Sequence, residues 1–242
     1  MTTDNDEERS PNGSPIYRHG AAKDWQPARG EESLEQITAH IEAHLGPVAT
    51  VFHEIVSDLV HIDVHFVKPT PTCPFIRLVT SGMSDLPMTV PEGKDVPRFL
   101  ELMMTLPPDW RLDGESFKDE AWYWPVRLLK TLARLPHAHD TWLGWGHTIP
   151  NGDPAQPYAA NVGFAGAIVL PSLKAPSAFS TLAIAADKEI TFQSVWPLLP
   201  NEMDYKLQHG TSALIDRFEK YLVSDLVDCK RKDVTRKRFG FW

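Results

Sequence analysis

Three consecutive β-strand patterns most constrain the architecture of this chain. The segments VATVFHEIV, VHIDVHFV and FIRLVTSG are β-branched or alternate apolar with polar residues, and short polar or proline-containing connections separate them. Segments with this spacing favour neighbouring strands of an antiparallel or mixed sheet. Two later segments, FAGAIVLPS and FSTLAIAADKEITFQSVWPLLP, predict further strands.

Apolar residues at helical spacing predict several helices. The clearest helix follows Ser33, runs through LEQITAHIEAHL, and is ended by Gly46 and Pro47. Three further segments are predicted as helices from the same periodicity: 95–107, 125–135 and 211–226. Because no repeat or clear linker divides the chain, we expect one α+β domain.

Charge is distributed unevenly along the 242 residues. The net charge is −8, but residues 230–242 contain six basic residues and one acidic residue, a charge of +5, which leaves −8 − 5 = −13 for the remainder. An acidic body argues against general nucleic-acid binding. We predict a disordered tail over residues 1–30, a folded domain over 31–228 and a basic tail over 229–242.

Cysteine use and the N-terminal sequence favour a cytoplasmic location. Cys73 and Cys229 are far apart, and two free thiols in a reducing compartment are favoured over one long-range disulfide. The N-terminus MTTDNDEERSPNGSP lacks the apolar core of a signal peptide. No apolar run approaches the roughly 18 residues that span a membrane. We therefore expect a cytoplasmic protein without a membrane anchor.

The first candidate site is the polar face of the segment VHIDVHFV. His61, Asp63 and His65 alternate with apolar residues and share one strand face. At about 3.3 Å per residue the two histidines lie about 13 Å apart, so they can hardly bind one metal together. A metal site would need further ligands from residues just before this strand: His53, Glu54 and Asp58. Three interpretations stay open: a solvated or polar-networked strand face, a recognition surface, or metal or acid–base chemistry.

The second candidate site is the loop TWLGWGHTIPNGDP. Trp142 and Trp145 are spaced by glycine, and His147 follows them. Aromatic residues on such a loop are typical of binding surfaces, because tryptophan offers a large contact area at low entropic cost. The alternative is that the tryptophans fill the core beneath a structural loop.

Motifs of the common enzyme classes are missing from the sequence. GFAGA lacks the third glycine of the dinucleotide fingerprint, and neither Ser81 nor Ser84 stands in a G-x-S-x-G elbow. HExxH and CxxC motifs are also lacking. We therefore predict no catalytic residue, no bound metal and no cofactor.

Four blocks of sequence resemble the suppressor-of-fused (SUFU-like) domain family, in its bacterial branch. They are HIDVHFVKPTPTCPFIRLVTSGMSDLPM, ELMMTLPPDW, WPVRLLKTLARLPHAHDTWLGWGHTIPNG and YKLQHGTSALIDRF, and the resemblance covers roughly residues 34–223. It implies a mixed, mostly antiparallel central sheet flanked by helices. The animal relative implies a non-enzymatic regulator that grips a short peptide of Gli-type transcription factors in extended form. That relative has an additional C-terminal domain, which we do not expect here.

The resemblance and the charge together indicate a protein-binding module. Some bacterial members have been proposed as immunity proteins, and an acidic body suits the capture of a basic toxin domain because opposite charges speed association. We expect a cytoplasmic protein that occludes a protein or peptide partner. The predicted contact residues are His61, Asp63, His65, Trp142, Trp145 and His147. The alternative is a metal-dependent or acid–base enzyme that uses the His, Asp and Glu residues of adjacent strands.

Overall fold

The computed structural model of the chain describes residues 8–23, 33–53 and 60–236. These residues form one eight-stranded sheet in the order β1-β2-β3-β4-β8-β6-β5, with β7 also paired to β8. Every pairing is antiparallel except that of β4 with β8. The strands are β1 (Val48–Phe52), β2 (Asp63–Val67), β3 (Ile76–Ser81), β4 (Phe99–Leu106), β5 (Thr148–Pro150), β6 (Gly166–Leu170), β7 (Thr181–Ala185) and β8 (Lys188–Leu198). This confirms the predicted mixed, mostly antiparallel sheet.

Four α-helices accompany the sheet in the described part of the chain. They are α1 (Leu34–His44), α2 (Glu120–Ala138), α3 (Pro200–His209) and α4 (Thr211–Lys220). The prediction of α1 is confirmed. Helix α2 begins five residues before the predicted start, because the side chain of Asp119 accepts a hydrogen bond from the backbone N–H of Ala121 and caps it. Pro136 lies within its last turn, and His139 N still donates to Leu135 O beyond it.

The helix predicted over residues 95–107 is wrong. That segment contains β4, which lies between β3 and β8, and seven of its eight residues are buried. A strand buried on both faces is a nearly continuous apolar run, and periodicity alone does not separate such a run from a buried helix. The predicted C-terminal helix ends at Lys220 rather than at residue 226, and the mostly polar α3 was missed.

Helices cover both faces of the sheet at the β2–β3–β4 end. Trp124 of α2 belongs to the same buried cluster as Leu102 of β4. Ile41 of α1 belongs to a second cluster with Met103, the next residue of β4. Because successive strand residues point to opposite faces, α2 and α1 lie on opposite sides of the sheet. No helix of the described residues is long and apolar enough to cross a membrane.

Helices α3 and α4 extend the layer that contains α1. Phe192 of β8 packs in the α1 cluster, whereas Trp196, four residues further along the same strand, packs with residues of α3 and α4. Residues four apart in a strand share a face. The Trp196 ring stacks on Phe218 of α4 with centroids 5.7 Å apart. The prediction of a sheet flanked by helices is therefore confirmed.

Both terminal segments that the structure describes contact this body. The side-chain amide of Asn12 donates to Lys206 O at 2.8 Å, and Lys23 pairs with Asp140 at 2.5 Å. At the other end, Arg231 pairs with Glu202 of α3 at 2.5 Å. The predicted boundaries of the tails and the domain stay predictions.

Candidate functional site

Strand β2 carries the first predicted group of site residues, but both of its faces are mostly buried. Asp63 is 1% exposed and His65 is fully buried, so neither belongs to a solvated face, and their side-chain hydrogen bonds fit the polar-networked alternative. The side chain of His61, just before the strand, is 23% exposed. Strand β2 lies inside the sheet between β1 and β3, which explains why little of it reaches solvent.

Asp63, the first residue of β2, lies within hydrogen-bonding distance of two histidines. The Nδ1 of His53 lies 2.8 Å from Asp63 Oδ2, and the Nε2 of His61 lies 3.0 Å from Asp63 Oδ1. The three ligand atoms of His53, His61 and Asp63 all lie within 4.8 Å of one another. We call these three residues the His–Asp cluster. Glu54 and Asp58, the other ligands considered from the sequence, lie outside the described residues.

His65 is separate from the His–Asp cluster. Its Nε2 lies 2.9 Å from Ser81 Oγ on the neighbouring strand, in a fully buried position. Burial lowers the pKa of His65 to about 4, because the charged ring would lose its hydration. A neutral, buried ring bonded to a serine is a structural element of the β2–β3 pair.

The backbone of His61 packs closely against Gly82. This glycine has a φ of +99°, and a Cβ built on it would lie 1.8 Å from the carbonyl oxygen of His61. Only glycine adopts this conformation without strain while allowing so close an approach. Val60 and Ile62, on either side of His61, are fully buried and anchor the same segment.

The second predicted group divides between the core and the surface. Trp142 is 9% exposed and packs against His147 with ring centroids 4.1 Å apart. Burial lowers the pKa of His147 to about 4, and the ammonium groups of Lys206 and Lys94 add to the effect. Trp145 is 54% exposed. The core interpretation therefore fits Trp142, and the surface interpretation fits Trp145.

A glycine sets the turn that presents Trp145. Gly146 has a φ of +77°, and a Cβ there would lie 2.9 Å from the Oγ1 of Thr211, the first residue of α4. The loop thus packs tightly against the start of α4. The Gly146 N–H donates to Val169 O at 2.8 Å, and this bond ties the turn to β6.

Trp145 lies beside an apolar groove of about 230 Å³. We call this the Trp145 groove. Its lining combines the Trp145 loop with residues of β6 and β8, α4 and the connections between them: Leu170, Pro171, Leu173, Trp196, Ile215, Phe218, Glu219 and Val223. Leu173 is 65% exposed at the rim. Apolar side chains that line a concave surface with exposed anchors are typical of recognition sites.

A larger cleft of about 560 Å³ lies between the N-terminal segment and the Trp142 side of the loop. Charged and polar residues of both sides contribute to its lining, among them Glu8, Arg18 and Asp140. Tyr17 of the N-terminal segment approaches His147 with ring centroids 6.2 Å apart. We favour the Trp145 groove as the recognition surface, because its lining is apolar and belongs to the body of the fold.

The two groups predicted from the sequence are not parts of one site. The His–Asp cluster lies at the β1–β2 end of the strand order, and the Trp145 loop precedes β5 at the opposite end. The sequence patterns also missed most of the groove. Leu173, Trp196 and Phe218 come from three distant segments, and each belongs to an ordinary apolar pattern that gives no sign of a shared surface.

Comparison with known proteins gives a consistent result for family and fold. The family model of suppressor of fused protein (SUFU) matches residues 58–232. A crystal structure of a SUFU homologue from Neisseria gonorrhoeae FA 1090 is similar with a TM-score of 0.61 and 14% sequence identity, over 84% of this chain and 97% of that chain.

A second similar structure is named the Sufu–Fu complex. Its matched chain has a TM-score of 0.56 and 12% identity, over 86% of this chain and 93% of that chain. No curated protein matches significantly. Similarity at these identities shows a shared fold. Since the family model covers well over half of the sequence, the chain belongs to the suppressor of fused family.

Proposed function

We propose that this protein is a non-enzymatic protein-binding module and that its contact surface is the Trp145 groove. The observation that carries the proposal is Trp145 itself, 54% exposed on a turn beside an apolar groove. A structure of the same fold is named as the Sufu–Fu complex, which supports a protein-binding role for this fold.

The groove has the physical properties of a protein-contact surface. Exposed tryptophan is enriched among residues that contribute most to binding, because its ring buries a large area with few rotatable bonds. Leu173 at the rim adds a second exposed apolar side chain, and Trp196 and Phe218 form a stacked floor. A partner that inserts an apolar side chain here would shield all of these groups from water.

The partner that fits best is a protein with a basic surface and an extended apolar segment. The net charge of −8 favours approach of a positively charged partner. The neighbouring β5 has a described strand on one side only, so its other edge can accept a strand. A basic toxin domain held in an inhibited state would satisfy these conditions, and the proposed role is therefore that of an immunity or regulatory protein.

Among the predicted contact residues, Trp145 is the one that the proposal uses directly. Trp142 and His147 pack against each other beneath the surface of the same loop, and Tyr17 of the N-terminal segment lies near His147. Burial of Asp63 and His65 leaves His61 as the member of that group with exposed side-chain area. A charge reversal at Asp63 would disturb folding, so it does not test binding.

We expect Trp145→Ala to weaken partner binding at least about 30-fold, which corresponds to the roughly 2 kcal/mol of a dominant contact residue. Leu173→Lys should weaken it further, because it removes an exposed apolar contact and places a positive charge against a basic partner. Tagged full-length protein is used to isolate partners from its own cells, and the dissociation constant of any equimolar partner is then measured with each variant. Thr50→Ala, an exposed position of β1 at the opposite edge of the sheet, is the matched control.

Both groove variants must keep the circular dichroism spectrum and melting temperature of the parent protein for this test to apply. Partner binding that is lost in Trp145→Ala and kept in Thr50→Ala supports the proposal. Unchanged affinity in Trp145→Ala and Leu173→Lys would overturn the assignment of the groove.

A further inference from the structure

We propose that His53, His61 and Asp63 form a binding site for one divalent transition-metal ion of the zinc class. The site lies at the opposite end of the strand order from the Trp145 groove and is independent of the proposed function. The three ligand atoms lie within 4.8 Å of one another.

The distances in the cluster are close to those of a metal site. Zinc bonds to imidazole nitrogen and carboxylate oxygen at about 2.0–2.2 Å, so the ligand atoms of a tetrahedral site lie about 3.4 Å apart. The two nitrogen–oxygen distances, 2.8 Å from His53 Nδ1 to Asp63 Oδ2 and 3.0 Å from His61 Nε2 to Asp63 Oδ1, need a small expansion. They run to different oxygens of the same carboxylate, so the ion would bind one or both of these oxygens. The two ring nitrogens, at most 4.8 Å apart, need to approach each other, and the exposed ring of His53 has room to do so.

The chemical types of the three ligands determine which metal ions the cluster favours. Two imidazoles and one carboxylate suit zinc and other late first-row divalent ions, whereas calcium and magnesium prefer oxygen ligands. In the hydrogen-bonded cluster His53 Nδ1 and His61 Nε2 each carry a proton, since the Asp63 carboxylate only accepts hydrogen bonds. Metal binding needs the tautomer whose proton is on the outer nitrogen of each ring.

The cluster combines two ligands that are held by the fold with one accessible ligand. The Asp63 side chain is 2% exposed and begins β2, so its carboxylate is held by the sheet. His61 is fixed by its buried neighbours and by the close approach of Gly82. The His53 side chain is 62% exposed, which gives the ion a path from solvent and leaves further coordination positions open to water or to a partner.

The positive charge of Lys130 limits the affinity of the His–Asp cluster for a dication. The ammonium group of Lys130, partly buried on α2, interacts with the charge of Asp63. A dication bound to two neutral rings and one carboxylate therefore keeps a net charge of +1 close to a lysine. This repulsion argues for an exchangeable ion rather than a permanently bound one.

The test is a calorimetric titration of zinc chloride into chelator-treated full-length protein, with the visible absorption of bound cobalt(II) as a second readout. We expect one equivalent of zinc and cobalt absorption bands typical of a site with nitrogen ligands. His53→Ala, at an exposed position that should not disturb folding, is expected to weaken binding at least about 30-fold. Asp63→Asn should abolish it, and circular dichroism checks its fold.

The matched control is His44→Ala. His40 and His44 are one helical turn apart on α1 with ring centroids 4.6 Å apart, so this pair is another place where zinc can bind. Binding that is lost in His53→Ala and retained in His44→Ala supports the proposal. Absence of binding, binding unchanged in His53→Ala, or binding lost in His44→Ala would each overturn it. The Trp145→Ala variant should bind zinc normally, so failure of the groove proposal and failure of the metal proposal are distinguishable.

Discussion

Replacing Arg231 by methionine is expected to lower the free energy of unfolding by about 3–5 kcal/mol. The guanidinium contacts both carboxylate oxygens of Glu202 at 2.5 Å and donates to Pro197 O at 3.0 Å. Glu202 is fully buried, and the Arg231 side chain is only 10% exposed. Without Arg231 the carboxylate would keep its backbone donors, from Leu199 and Val234, but would lose its counter-charge.

Methionine is the appropriate substitution because it keeps most of the apolar stem. The guanidinium carbon of Arg231 lies 5.0 Å from the ring centroid of Phe164 and 5.7 Å from that of Phe218, and methionine retains contact with these rings. The loss measured by urea unfolding therefore reports mainly the uncompensated charge of Glu202. In Glu202→Gln/Arg231→Met, which removes both charges, we expect part of the stability to return.

Arg236→Met is the matched control from the same C-terminal segment. Arg236 lies 3.7 Å from Asp233, but its side chain is 79% exposed, and such a pair contributes about 0–1 kcal/mol. If Arg231→Met were no more destabilising than Arg236→Met, the Arg231–Glu202 pair would contribute no more than an exposed ion pair, and the prediction would be contradicted. The larger effect at Arg231 would show that this part of the segment belongs to the folded domain.

Glu101 is expected to make the protein less stable as the pH rises from about 4.5 to about 7. This carboxyl group of β4 is fully buried and accepts hydrogen bonds from Thr80 Oγ1, from Ser84 N at 2.9 Å and from Ser84 Oγ at 2.7 Å. Burial raises the pKa of Glu101 from 4.5 to about 7, although these bonds favour the charged form. The nearby Asp85 charge raises the pKa further.

The direction of this pH effect follows from proton binding by Glu101 in the folded and unfolded states. Between the two pKa values the folded protein holds a proton on Glu101 that the unfolded chain has released, so stability falls as the pH rises. One pH unit in this window corresponds to about 1.4 kcal/mol, which gives a total of about 3 kcal/mol. The contribution is fully present below pH 4.5 and is lost above pH 7.

Urea unfolding of the parent protein and of Glu101→Gln at pH 5 and pH 8 measures this effect. Buried His65 and His147, with pKa values lowered to about 4, contribute in the opposite direction below pH 6.5, so the comparison must be made between variants. Between pH 5 and pH 8 Glu101 should lower the free energy of unfolding of the parent protein by roughly 3 kcal/mol, and Glu101→Gln should lack this loss. Glu115→Gln, at a site 84% exposed, should leave it unchanged. An unaltered pH dependence in Glu101→Gln would contradict the prediction.

The strands around the candidate sites show where sequence patterns are sufficient. In β2 and β8, β-branched or alternating residues predicted strands that the structure contains, because the side-chain period of two is a local property. The pattern failed at β4, since a central strand buried on both faces loses its alternation. Helix α3 was missed because most of its residues are polar, so its segment has too few apolar residues to show a helical period.

Residue types within the sites were visible in the sequence, but their grouping was not. His61 and Asp63 were noticed as neighbours on a strand, whereas the hydrogen bond from His53 depends on how the end of β1 meets β2. The exposure of Trp145 and the burial of Trp142 likewise depend on the turn at Gly146 and its contact with α4. A sequence motif does not contain this information.

The sequence by itself determined the family, the α+β class and the elements with a clear local period, because these depend on patterns within one segment. Only the tertiary structure decided which residues share a surface. It separated His65 from His61 and Asp63, and it assembled the Trp145 groove from four distant segments. The physical reason is that burial and proximity depend on strand order and helix packing, which bring together residues that no local pattern connects.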